Sequence, residues 1–227
     1  MLFNTLYVVL YVGIEGAISG WMAVYMLRQR HADILSAALV ISGFFVGIAS
    51  GRIILAFVTP RIGERRAIGI YCAIALILEI IFALVPAPVP QAANSSFNPN
   101  ILVTAVVILQ GFFLGPLFPA GIVVLTSVLP KHAHVQAIAL LCASGAIGAT
   151  AIPTAIGAMA GTWGIGVLVP VLSVSLAAML GTWIVLARVM ASADEERRER
   201  GIVGTRTWDD DESIAPGGEY EPLLGSP

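Results

Sequence analysis

The chain has 227 residues, of which 58% are hydrophobic and only 11% charged, and its mean hydropathy is +0.91. A water-soluble domain carries about 25% charged residues, so these values exclude an ordinary soluble enzyme domain. A net charge of -2 excludes the basic footprint of a nucleic-acid-binding protein. Apolar runs of about 20 residues between short charged stretches are the pattern of helices that cross a bilayer.

Six such runs follow one another, predicting an all-α, six-helix transmembrane bundle over residues 1–190 and a polar tail over 191–227. The first runs from Leu2 to Leu27, too long for a signal-peptide core and without a basic leader, so it is expected to stay as an anchor. Glu15 lies at its centre. At about 100° per residue, Asn4, Tyr11, Ser19 and Met22 fall within about 40° of Glu15, giving one polar stripe. A carboxylate in hydrocarbon costs at least about 2.5–3.5 kcal/mol. The stripe is therefore expected to line an aqueous path or to bond inside the bundle, and in the first case Glu15 is the candidate proton carrier. Gly13, Gly16 and Gly20 lie on another face, where a neighbouring helix can come close.

The second run, Ser36 to Thr59, holds Arg52. Its side chain either pairs with Glu15 or snorkels to a membrane surface. Gly43, Gly47 and Gly51 form a row suited to close helix contact. A connector with Arg61, Gly63, Arg65 and Arg66 leads to the third run, Ala67 to Val85. Glu79 there sits among Ile and Leu, and a structural role is expected for it.

An uncharged loop, Pro86 to Asn100, contains Asn94-Ser95-Ser96, which fits a glycosylation acceptor. The fourth run, Ile101 to Leu129, contains Gln110, Phe113, Gly115, Pro116 and Pro119. Two prolines without backbone donors should kink or loosen this helix inside the membrane. Gln110 and Phe113 are then a polar and an aromatic candidate beside the break, with packing as the other reading of each.

The fifth run, Ala133 to Ala160, is rich in small residues, and the sixth extends from Ile165 to Met190. Trp21, Tyr25 and Trp163 are expected in an aromatic belt at the membrane surface. Cys72 and Cys142 both lie inside apolar runs and read as packing residues. The charged stretch Asp194 to Arg200 should extend the last helix, and the tail beyond Gly201 has a disordered composition. Glu219 to Leu224 matches acidic dileucine and tyrosine-based sorting patterns, which also arise by chance.

With an even number of spans both termini share a side. That side holds nine Lys and Arg residues, including Arg61, Arg65, Arg66 and Lys131, against Arg28 and Arg30 on the other. The asymmetry predicts cytoplasmic termini. No metal cluster, phosphate loop or paired carboxylate points to an enzyme, a metal or a cofactor.

Three stretches carry a family resemblance: Tyr11-Val12-Gly13-Ile14-Glu15; Gly51-Arg52 followed by Arg61-Ile62-Gly63-Glu64-Arg65-Arg66; and Gly115-Pro116-Leu117-Phe118-Pro119. The chain resembles the C-terminal half of a major facilitator superfamily transporter, its last six helices plus tail, and within it the fungal fucose-permease-like branch. The acidic residue that often precedes the Arg-rich turn is replaced by Thr59-Pro60.

The resemblance implies a secondary transporter of a small solute, with a sugar and proton symport as candidates, in a plasma or vacuolar membrane. It places Glu15, Tyr11, Gln110 and Phe113 at the substrate. It also implies a complementary six-helix half or a second copy as partner. The competing reading is a truncated, non-transporting membrane protein or a regulatory half.

Overall fold

In a computed structural model the chain is described over residues 2–86, 99–129 and 131–199. The helices are α1 (Leu2–Arg28), α2 (Ile34–Ile62), α3 (Glu64–Leu84), α4 (Pro99–Leu114), α5 (Leu117–Val128), α6 (His134–Trp163) and α7 (Leu168–Glu199). Short 3-10 turns at Lys131–Ala133 and Ile165–Val167 precede α6 and α7. Six segments are long and apolar enough to cross a membrane, α4 and α5 together forming the fourth, Pro99–Ser127. The expected six-span all-α architecture is therefore borne out. The last helix runs through the charged stretch to Glu199. Asn94 and the sorting patterns at 219–224 lie outside the described residues.

The ends of the helices follow from local chemistry. Asp33 caps α2 by accepting a bond from the Ser36 amide at 3.3 Å. That bond holds the Asp33 carboxyl below its ordinary value of 3.8. The cap therefore contributes fully above that pH and is lost only as pH falls below it. The expected connector from Arg61 to Arg66 is almost absent: Arg61 and Ile62 end α2, and Glu64 already begins α3. Gly63 alone turns the chain, at φ 92, a value that a residue with a Cβ rarely adopts.

Two helix pairs pack at backbone distance. α1 lies along α6, where a side chain added at Gly13 or Gly148 would strike the Gly148 or the Val9 carbonyl, respectively. α2 lies along α4, with Gly47 and Gly51 set against Ile108 and Phe112, and Gly111 and Gly115 against Phe44 and Ile48. Both expected glycine rows thus serve helix contact, with Gly20 the exception because a Cβ added there would meet no neighbouring helix among the described residues within 4 Å. Such contacts replace the hydrophobic driving force that lipid cannot supply between helices.

Trp183 ties α7 to the bundle. Its indole is buried, lies 5.2 Å from the Tyr7 ring and donates to the Arg65 carbonyl at 3.1 Å. Trp183→Phe keeps the ring packing and removes that bond. A loss of about 0.5–1.5 kcal/mol is expected, readable as a lower unfolding midpoint in detergent, with Trp183→Ala falling further.

The aromatic belt needs correction. Trp163 is exposed, but Tyr25 is buried with its ring 5.5 Å from Phe82. Trp21 spends its indole N–H on the Pro153 carbonyl of α6 at 2.9 Å and packs on Gly157. Both rings found partners inside the bundle, because residues that face a neighbouring helix are not free to reach the membrane surface.

Candidate functional site

The fourth span is discontinuous. α4 stops at Leu114, Gly115 and Pro116 form a turn, and α5 starts at Leu117. Each proline removes one helical donor, and the carbonyl four residues earlier loses its partner. For Pro116 that carbonyl belongs to Phe112, and for Pro119 to Gly115. Both turn to α2. The Phe112 carbonyl packs on the bare face of Gly51. The Gly115 carbonyl accepts from the Arg52 Nε at 3.2 Å. Pro119 itself lies in the first turn of α5, where proline is tolerated.

Arg52 is exposed on the isolated bundle and Glu15 is half-buried. Among the described residues no direct ion pair joins them. Both act electrostatically on the Tyr11 hydroxyl, one turn of α1 before Glu15. That hydroxyl is buried, and no hydrogen-bond partner among the described residues reaches bonding distance of it. The Tyr11 ring stacks with Phe118 of α5 at 6.0 Å. One carboxylate, one guanidinium, a phenol, an aromatic ring and a proline-freed carbonyl thus converge from α1, α2 and the broken fourth span. The formal charges of Glu15 and Arg52 cancel, which suits a neutral, hydrogen-bonding ligand more than an ion.

The other polar residues of the α1 stripe divide. Asn4 is buried, and both its amide atoms lack a partner among the described residues. Ser19 returns its hydroxyl to the Gly16 carbonyl of its own helix at 3.1 Å. Gln110 is fully buried and donates to the Glu79 carboxylate at 2.9 Å. Phe113 lies 6.1 Å from the ring of Tyr71, whose hydroxyl meets that of Thr59 at 3.2 Å. Glu79, expected among apolar neighbours alone, thus has a polar partner 31 residues away. In the sequence Phe118 stands out only as part of the Gly115 to Pro119 motif. Its place beside Tyr11 follows from the break, because Gly115-Pro116 starts a new helix with its own rotation.

The sequence profile of the Major Facilitator Superfamily matches residues 5–216. The chain belongs to that superfamily. Members of this family are transporters, not enzymes, and the chain is a multi-pass integral membrane protein in a lipid bilayer. It is similar to Bypass of stop codon protein 6 of Saccharomyces cerevisiae, 33% identical over 71% of this chain and 32% of that protein. It is also similar to the glucose/mannose transporter GlcP of Bacillus subtilis, 24% identical over 68% of this chain and 35% of that protein. The chain thus spans about a third of the length of these curated relatives.

Proposed function

We propose that the chain moves a small solute across the membrane as the C-terminal half of a twelve-span transporter, within the fucose-permease-like branch. The observation that carries this reading is the convergence of Tyr11, Glu15, Arg52 and the Gly115 carbonyl at a helix break. Broken helices supply backbone groups to ligands at membrane depth where a cavity or protein, not lipid, faces them. Arg52 is exposed on the isolated bundle. A charge set against lipid is costly, so a complementary half, or a second copy, covers that side.

A sugar fits the site chemically. Its hydroxyls both donate and accept, and the unpartnered polar atoms of Asn4 and Tyr11 offer both functions. The likeness to a glucose/mannose transporter supports the same substrate class. Glu15 is the proton carrier in this reading, which makes the transport symport. Both termini face the cytoplasm of a plasma or vacuolar membrane, following the Lys and Arg asymmetry.

The test joins the chain to an N-terminal six-span half in proteoliposomes and measures labelled glucose and mannose uptake under an inward proton gradient. Uptake above protein-free vesicles is expected. Glu15→Gln should abolish accumulation driven by the gradient while downhill exchange persists. Arg52→Leu should lower uptake about ten- to a hundredfold, the loss of one charge-assisted bond. A folded assembly that moves neither hexose overturns the sugar reading. Failure of the two halves to associate overturns the half-transporter reading in favour of a non-transporting membrane protein.

A further inference from the structure

We propose that Glu79 is a proton-binding site, held as a neutral carboxylic acid in a two-bond pair with the Gln110 amide that fastens α3 to α4. This goes beyond the transport reading, which assigns the proton to Glu15.

The argument starts from the unpartnered atoms. Glu79 and Gln110 are both fully buried. Gln110 Nε2 donates to Glu79 Oε2 at 2.9 Å. Two oxygens of the pair, Glu79 Oε1 and Gln110 Oε1, are buried and have no partner among the described residues. If the carboxyl is ionised, both are acceptors only, and neither can satisfy the other. One proton on Glu79 Oε1 makes it a donor, and the Gln110 carbonyl oxygen is the acceptor its partner already carries. A single proton therefore completes an acid–amide pair with one bond in each direction. Its uptake forms one O–H bond, and its release returns the proton to water; nothing else changes covalently.

Among the described residues, no counter-ion is placed to hold the carboxylate charged. From α1, Tyr25 interacts electrostatically with Glu79 and with Arg30. Arg30 commits its guanidinium to the Val85 and Pro86 carbonyls and to Asn100 Oδ1, at 3.0, 2.9 and 3.1 Å. Among the described residues, the side chain acting on Glu79 from the adjacent α4 is Gln110, and no ionisable group of α2 or α5 acts on it. A buried ion without such a partner is disfavoured against its neutral form.

The place of the pair gives the proton a consequence. Gln110 precedes Gly111, within α4 and just ahead of the break at Gly115-Pro116. Protonation fastens this stub of the broken span to α3. Deprotonation sets a carboxylate against the Gln110 carbonyl oxygen and loosens it.

Infrared spectroscopy of the purified chain in detergent tests this without any transport assay. At neutral pH the wild type should show the C=O stretch of a hydrogen-bonded, protonated carboxyl. Glu79→Gln should remove that band, while Glu15→Gln leaves it in place. Gln110→Leu should retain the band but shift it to the higher frequency of a less strongly bonded acid. No protonated-carboxyl band in the wild type, or one that survives Glu79→Gln, overturns the proton site. A band unmoved by Gln110→Leu overturns the pairing. Should Glu79→Gln fail to fold, the wild type against Gln110→Leu still decides.

Discussion

Arg30→Leu is expected to destabilise the bundle by about 3 kcal/mol, more than removal of any exposed charge. Arg30 is 1% exposed. Three of its hydrogen bonds join the turn after α1 to the end of α3 and the start of α4, partners 55, 56 and 70 residues away. A hydrogen bond to a charged group is worth about 1.5–3 kcal/mol, so the three together set the ceiling, although Pro86 is exposed and Val85 and Asn100 are half-buried. Their position where helices end lets water return to some of them, and the expected loss falls below that ceiling.

Arg30→Lys should recover only part of the loss. An ammonium presents its donors from one point, whereas the guanidinium spreads them over a plane that reaches two carbonyls and an amide together. Arg28→Ala is the control: Arg28 is exposed, and a change within about 0.5 kcal/mol is expected. Unfolding of the purified chain by a denaturing detergent measures all three. An Arg30→Leu midpoint equal to that of Arg28→Ala would show that the three bonds add nothing.

Arg30 also marks the limit of what the sequence discloses. The six spans, the two glycine contacts and the broken fourth helix were legible because each has a local signature. Apolar length sets a span, spacing by three or four sets a helix face, and proline removes a donor at a known place. Arg30 has no such signature. In the sequence it is one charge in a short connector, and its partners are mostly backbone carbonyls, which every residue carries.

The Glu79–Gln110 contact was hidden in the same way. Each residue alone is a polar group in an apolar run, and only the packing of α3 on α4 brings them together. The candidate site was partly legible. Tyr11 and Glu15 share a stripe by helical spacing, but the partner of Arg52 could not be chosen. The competition between Glu15 and a snorkelled position left out the acceptor it bonds, a carbonyl released by Pro119. Trp21 and Tyr25 misled because aromatic rings near a span's end suit a membrane surface and a helix interface equally well.

Gly51→Ala should have an effect out of proportion to one methyl group. Its Cβ would collide with the backbone carbonyl of Phe112, which cannot rotate away as a side chain could. Overpacking of this kind costs about 1–3 kcal/mol or more. The gain in helix propensity on leaving glycine, about 0.5–1 kcal/mol, offsets only part of it. Gly20→Ala separates the two effects. Nothing lies within 4 Å of a Cβ built at Gly20, so only the propensity gain remains and stability should hold or rise. The collision at Gly51 also pushes α2 from the break in the fourth span, at the residue beside Arg52. The bond from Arg52 to the Gly115 carbonyl is already 3.2 Å long. A further displacement of about half an ångström would take it beyond hydrogen-bond range. Gly51→Ala in the assembled transporter should therefore reduce hexose uptake toward the level of Arg52→Leu, and combining the two should add little further loss. Additive losses would mean that the close approach of α2 supports stability alone and does not position Arg52.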